Sequence, residues 1–325
     1  MPFANNTPTS EIRELRPDES DEFISLMVLA FKDSIEKDRL DLVEVRKLMA
    51  KVRSPAYKFL SKAVGLKLEF YVAEVESTIA SGILLNIDKN EVYVGNLMTH
   101  PMYQRQGLAR KLLRFSFRRA TEMGLKKVTL GARADNVNAI RLYTSEGFET
   151  TNHVIRFESD IALMRSRDTR DDLGIQRITK VDFQDIGPML DDCYPASHLE
   201  SLGRKKFVKS HIPSRVTRFI AGRLGGQSIN TYAFHLAGEE RPRGFIQATQ
   251  SRIDDRIHLS SPILSENDND LLLEIIPEVL ELESSYRGLT AASINCSMHR
   301  LDAISKIERL GFKKARESVS MMKKL

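Results

Sequence analysis

Leu97-Met98-Thr99-His100-Pro101-Met102-Tyr103-Gln104-Arg105-Gln106-Gly107-Leu108-Ala109, running on into Arg110-Lys111-Leu112-Leu113-Arg114, is the stretch around which the rest of the chain organises. It reads as the end of a strand, a glycine turn and the start of a helix. Ala109, Leu112, Leu113, Ser116, Ala120 and Met123 recur at spacings of three and four, while Arg110, Arg114, Arg118 and Arg119 fall mostly off that face, as in a surface helix packed on a sheet. The first turn of such a helix has backbone N–H groups without intrahelical partners and the positive end of the helix dipole, which together form an anion site. Gly107 removes the side chain that would hold a phosphate oxygen off the backbone, and Ala109 stays small for the same reason. Arg105, Arg110 and Lys111 add positive charge, so a diphosphate fits.

The segment has neither the Gly-x-x-x-x-Gly-Lys-Ser/Thr of a P-loop nor the Gly-x-Gly-x-x-Gly of a dinucleotide fold, which argues against ATP or NAD. Downstream comes a second strand, Val128 to Ala132, then Asn136-Val137-Asn138-Ala139-Ile140-Arg141-Leu142-Tyr143 and Gly147-Phe148. With both motifs in this order, the chain resembles the GNAT superfamily of acyl-CoA-dependent N-acyltransferases. That family's signature is Gln/Arg-x-x-Gly-x-Gly/Ala after a strand, then a second strand and Asn-x-x-Ala-x-x-Leu-Tyr-x-x-x-Gly-Phe.

The resemblance implies an α/β chain with an α+β mixed sheet, and an acetyltransferase using acetyl-CoA as cosubstrate. Carried over position by position, it implies that the backbone at Leu97, Met98 and Thr99 lines the pantetheine arm and polarises the thioester carbonyl. Gln104, Arg105, Gln106, Gly107, Leu108 and Ala109 would hold the pyrophosphate, with Arg110 beside them. Asn136 would contact the carrier where the two strands splay apart, and Tyr143 would protonate the leaving thiolate. On the residues alone, Tyr143 beside Leu142 reads equally as a packing residue. The chain departs from some relatives at Gly131, where protein N-terminal acetyltransferases of this superfamily carry a glutamate base. His100, Glu91 and Glu146 are the candidates by sequence proximity, and a water chain is the alternative.

The 325 residues allow two domains. Ile12-Arg13-Glu14-Leu15 with Phe23 to Met27 resembles Ile175-Gln176-Arg177-Ile178 with Ile186 to Leu190; Asn138-Ala139-Ile140 and Gly147-Phe148 resemble Asp302-Ala303-Ile304 and Gly311-Phe312. We read a tandem duplication: an N-terminal GNAT domain over 1–165, a charged linker over 166–173, and a degenerate GNAT-like domain over 174–325, each a mixed, mostly antiparallel sheet flanked by helices. Ile257-His258-Leu259 matches the central strand of the first copy, Leu271 to Ser284 its long helix and Leu289 to Asn295 its next strand. No glycine stands between Gly244 and Gly288, Arg300 matches Asn136, and Ile307 matches Tyr143. The second copy is therefore expected to support the first rather than react.

The net charge of +5 is interleaved with acidic residues throughout, so no nucleic-acid partner is implied. Met1 to Thr9 lack a secretory hydrophobic core and no run is long enough to span a bilayer, which predicts a cytoplasmic protein without membrane association. Cys193 and Cys296 show no disulfide or zinc pattern. The acceptor amine, a small molecule or a peptide, is expected to meet the segment from about Leu29 to Leu66. There Asp33, Glu36, Asp38, Asp41 and Glu44 precede Lys47, Lys51, Arg53, Lys58 and Lys62, with Leu42, Val45, Leu48 and Val52 at helical spacing. A tandem chain can satisfy internally the contacts that single-domain relatives make by dimerising, so a monomer is expected, with a dimer as the alternative. The alternative function is a non-catalytic acyl-CoA-binding regulatory module.

Overall fold

Strand-forming aliphatic runs alternate with helix-length amphipathic segments along the chain. In the computed structural model, which describes residues 10–37, 39–63, 67–163, 171–181, 183–223, 226–284 and 289–325, they form two compact units. One comprises Met1–Gly131, Arg141–Glu149 and Met322–Leu325; the other comprises Ala132–Ile140 and Thr150–Met321.

The first unit opens with β1 (Ser10–Glu14), followed by α1 (Ser20–Ala30), α2 (Lys32–Lys37), α3 (Leu42–Val52) and α4 (Pro55–Ala63). The strands β2 (Lys67–Val75), β3 (Thr78–Ile87) and β4 (Val92–Thr99) then form an antiparallel meander beside β1. Glu76 and Ser77 close the β2–β3 hairpin with φ of 48° and 63°, the left-handed pair that matches strand twist in two-residue turns. After α5 (Leu108–Glu122), β5 (Lys127–Arg133) returns parallel to β4, and α6 (Val137–Ser145) follows. Phe23 and Leu26 of α1 pack on Phe70, Val72, Ile79 and Met98. Gly82 permits that contact: a Cβ there would lie 2.8 Å from Phe23 and 2.9 Å from Met98. On its sheet-facing side α5 buries Leu108, Leu112, Leu113, Ser116 and Ala120. Its apolar face thus begins at Leu108, one residue before the expected Ala109, and it ends before Met123, which is exposed.

The second unit begins with β6 (Glu149–Asp160) and β7 (Leu173–Ile178). The short helices α7 (Phe183–Ile186), α8 (Leu190–Cys193), α9 (Ala196–Leu202), α10 (Arg204–His211) and α11 (Arg215–Arg223) precede β8 (Gln227–Leu236), β9 (Gly244–Ser251), β10 (Arg256–Leu259) and β11 (Ile263–Leu264). Then come α12 (Leu272–Ser284), β12 (Ala291–Ser297), α13 (Leu301–Arg309) and β13 (Lys313–Lys324). The strand order is β13-β6-β12-β10-β9-β8-β7, with β11 on β9; β10 and β12 run parallel, as β4 and β5 do. Phe157, Phe234, Ile257, Ile294, Ile275 and Val279 lie in its main core. The expected central strand, long helix and next strand of the second copy correspond to β10, α12 and β12.

The first copy's final strand serves the second unit. β6, which follows α6 in the chain, pairs with β12 over Val154 to Asp160. The chain's last residues return to the first unit, where the Leu325 N–H bonds the Lys126 carbonyl at 2.9 Å. The repeats and the compact units are therefore different partitions of the chain. Residues 166–170 of the linker, residues 285–288 and Met1 to Thr9 lie outside the described residues.

Candidate functional site

Three consecutive pairs, Val92↔Val128, Tyr93↔Thr129 and Val94↔Leu130, join β4 to β5, and the pairing then stops although both strands continue. The cause lies on the other edge of β4. Leu85 pairs with Val94 and Ile83 with Leu97, so β4 carries one residue more than β3 at Gly95 and Asn96. Such a bulge bends a strand away from its partner. Beyond it, the His100 N–H bonds the Ala80 carbonyl at 2.9 Å. Alternation along a strand then points the Met98 N–H at β3 as well, and sends those of Leu97 and Thr99 into the gap. The Met98 carbonyl also accepts a hydrogen bond from Ser81 Oγ at 2.6 Å. Of the three expected backbone positions, Leu97 and Thr99 are thus the ones that present donors to the opening.

His100 caps the following 3-10 turn, its Nδ1 accepting from the Met102 N–H at 3.2 Å. The loop then uses two left-handed residues, Arg105 (φ 63°) and Gly107 (φ 79°). Gly107 is the N-cap of α5 with no side-chain cap, and no atom lies within 4 Å of the place a Cβ would occupy. The first intrahelical bond is Lys111 N–H to the Gly107 carbonyl, which leaves the amides of Leu108, Ala109 and Arg110 pointing outward. This is a nest of donors at the positive end of a four-turn helix. Gln104 and Arg105 are exposed, Gln106 is half-buried with its Oε1 unbonded, and Ala109 is small and half-buried. Arg110 leans toward α6, donating to Ser145 Oγ at 3.1 Å and lying 3.4 Å from Glu146, and Lys111 turns to Ser10 Oγ at 2.8 Å. Arg105 is an exposed cation in the same loop.

Tyr143 on α6 is buried against Phe148, with ring centroids 5.9 Å apart. Burial, aided by the neighbouring Tyr93, pushes its phenol up to about 12, so it is a proton donor at neutral pH. Asn136 is exposed and caps the helix start, its Oδ1 accepting from the Ala139 N–H at 3.1 Å. Tyr93 was not among the expected site residues: it lies between buried Val92 and Val94, and that alternation reads as an ordinary strand residue facing outward.

The three candidate bases have other partners. Glu91 is buried 3.3 Å from Lys127 Nζ. Glu146 accepts both Arg114 Nε at 2.8 Å and Nη2 at 3.0 Å, and this pairing holds its carboxyl below the usual range. His100 is the turn cap described above. At Gly131 the backbone bonds the Tyr93 hydroxyl instead of presenting a carboxylate. In the acceptor segment Asp41 caps α3 and Lys47 pairs with Glu44 at 2.7 Å. Arg53 is pinned to Ser20 Oγ and the Leu15 and Arg16 carbonyls. Asp38 and Leu66, and the side chains of Lys58 and Lys62, lie outside the described residues.

In the second copy the matching place is filled. Arg300, the N-cap of α13, is 2% exposed and sends its guanidinium to the Pro262 carbonyl at 2.6 Å and Asn269 Oδ1 at 2.8 Å. Ile307 is buried in the core. Both cysteines are buried and free. No helix among the described residues is long and apolar enough to cross a membrane.

Residues 42–148 match the model of the acetyltransferase (GNAT) family. No curated protein sequence matches the chain. Among solved structures, a tandem GNAT protein from the clavulanic acid biosynthesis pathway is similar over 97% of this chain and 98% of its own, at 12% identity and a TM-score of 0.63. A GCN5-related N-acetyltransferase from Sphaerobacter thermophilus is similar over 97% of this chain and 95% of its own (13% identity, TM-score 0.60). A putative acetyltransferase from Pyrococcus horikoshii is similar over 100% and 91% (12% identity, TM-score 0.56). The chain thus carries a match to the acetyltransferase (GNAT) family model over residues 42–148 and has the fold of the tandem GNAT structures.

Proposed function

We propose that the N-terminal copy transfers an acetyl group from acetyl-CoA to a primary amine, directly and in one ternary complex. The observation that carries this is the parting of β4 from β5 after Val94 and Leu130, next to the open amide nest of Gly107 to Arg110 and with a buried neutral phenol on α6. The nest takes the pyrophosphate, and the Leu97 and Thr99 amides hold the thioester carbonyl and the oxyanion that develops from it. The amine nitrogen attacks the carbonyl carbon and the C–S bond breaks. Tyr143 gives its proton to sulfur and recovers one from the ammonium through water. Among the described residues, Glu91 and Glu146 are already paired with Lys127 and Arg114, so the amine is proposed to enter neutral or to lose its proton to solvent. The second copy would serve as a support that has lost the reaction.

A second reading is favoured by Gly131 and by the engagement of Glu91 and Glu146: an acyl-CoA-binding regulatory module that never turns over. Calorimetric titration of acetyl-CoA, followed by thiol release across amines, amino acids and peptides, separates the two. For the enzyme, Tyr143→Phe should keep CoA affinity within about twofold and lower kcat by about tenfold or more. Unchanged turnover removes Tyr143 from the mechanism, and binding without turnover of any amine selects the regulatory module.

A further inference from the structure

A second recess lies wholly within the second unit. Residues 150–153 of β6, Pro195 before α9, and Met298 and His299 after β12 enclose a cleft of about 450 Å³, a size that holds a small molecule. Asn152 on its wall is 3% exposed. Its Oδ1 accepts from Ser297 Oγ at 2.6 Å, while its Nδ2 has no hydrogen-bond partner among the described residues. Ser297 Oγ is also 2.9 Å from His299 Nδ1, which ties the two polar walls of the cleft together. A buried amide donor left unbonded costs about 1–3 kcal/mol, and an acceptor oxygen in the cleft would recover it.

The next residue, Arg300, poses a matching demand. Its buried guanidinium meets only two neutral oxygens, its Nε is unbonded, and no carboxylate among the described residues forms an ion pair with it. A buried cation without a counterion is costly. Its neighbour His299 is on the cleft wall: burial lowers the imidazole, a bond to the Asp192 backbone opposes this, the Arg300 charge adds to the lowering, and exposed Glu266 opposes it weakly. Both unmet demands, a donor without an acceptor and a cation without an anion, call for the same group.

We propose that this cleft is a ligand site for a small carboxylate, one oxygen accepting from Asn152 Nδ2 while the charge is balanced by Arg300. It is independent of acyl transfer in the first copy. The test is fluorine NMR of 4-fluorobenzoate titrated into the full chain, with 4-fluorobenzamide and 4-fluorobenzylamine as neutral and cationic controls. The benzoate should broaden and the controls should not, and Asn152→Ala should weaken binding at least tenfold. Met298 stands at the rim, 45% exposed, so changing it leaves the core intact. Met298→Glu should weaken the benzoate severalfold, Met298→Lys should not, and CoA affinity should stay at the wild-type value in both. The proposal is overturned by no broadening at millimolar benzoate, by equal broadening with the amide or the amine, or by benzoate affinity that ignores Met298→Glu.

Discussion

Replacing Gly107 by aspartate should separate folding from anion binding. The residue sits at φ 79° and ψ 5°, where a side-chain-bearing residue costs about 1–2 kcal/mol. Removing a glycine returns roughly 0.5–1 kcal/mol by restricting the unfolded chain. No atom lies within 4 Å of the new Cβ, so no steric cost is added. The net loss is about 0–1.5 kcal/mol, which lowers Tm by only a few degrees. Binding responds differently. A carboxylate about 5 Å from a phosphate charge repels it by roughly 1–3 kcal/mol at an effective dielectric between 20 and 80. A diphosphate feels this more than once, so the Kd for CoA should rise about tenfold to a hundredfold. Gly107→Ala carries the same backbone cost without the charge and should weaken CoA only about threefold. Paired calorimetry and thermal melts of both variants give the comparison. An aspartate variant that melts within a few degrees of wild type and binds CoA with unchanged Kd would refute the assignment of this helix start as the phosphate site.

Glu69 is a buried carboxylate held by Arg119 at 2.8 and 2.9 Å and by Tyr71 Oη at 2.9 Å. Desolvation opposes its charge, but the bonds from Arg119, Lys67 and Tyr71 win and bring it to about 2. Its stabilisation is therefore present above the unfolded value near 4.5 and is lost as pH falls toward 2; Glu69→Gln should cost about 2–3 kcal/mol at pH 7 in urea unfolding and flatten the acid limb. Burial, with a smaller push from His211, lowers His198 to about 4. The unfolded chain takes up a proton near pH 6.5 that the folded chain refuses, so stability should drop by about 1–2 kcal/mol from pH 7 to pH 5. That slope should shrink in His198→Gln, leaving the part carried by His211 and His299, which burial also lowers, and an unchanged slope would mean that His198 does not contribute. Arg300→Ala should destabilise the chain by about 3 kcal/mol through the lost packing and the two abandoned acceptors, with CoA affinity unchanged.

What could be read from the sequence was local. Gly107 before a helical periodicity, and Tyr143 four residues before Gly147, are spacing signals, and the helix start and the buried phenol stand where those signals placed them. The bulge at Gly95 and Asn96, which parts the strands, leaves no such trace, because it is a mismatch in count between two strands rather than a property of either. Nor does sequence proximity reveal a partner. Glu146 lies three residues from Tyr143 and was a reasonable base until Arg114, from another helix, claimed it. The destination of β6 was equally hidden, since its alternation fits any sheet edge and only the long-range pairing with β12 decides.

Asn136 and Arg300 stand at corresponding helix starts and do different work there. In the first, Asn136 spends its side chain on its own helix start, the loop keeps a glycine, and the space between β4 and β5 stays open to a ligand. In the second, a longer side chain at the same N-cap reaches back to Pro262 and Asn269 and ties the loop before α12 to the start of α13. A guanidinium bonded to two oxygens bridges those elements without any ligand. The cost is a buried positive charge without a counterion, and this liability gives the neighbouring cleft a use for a carboxylate.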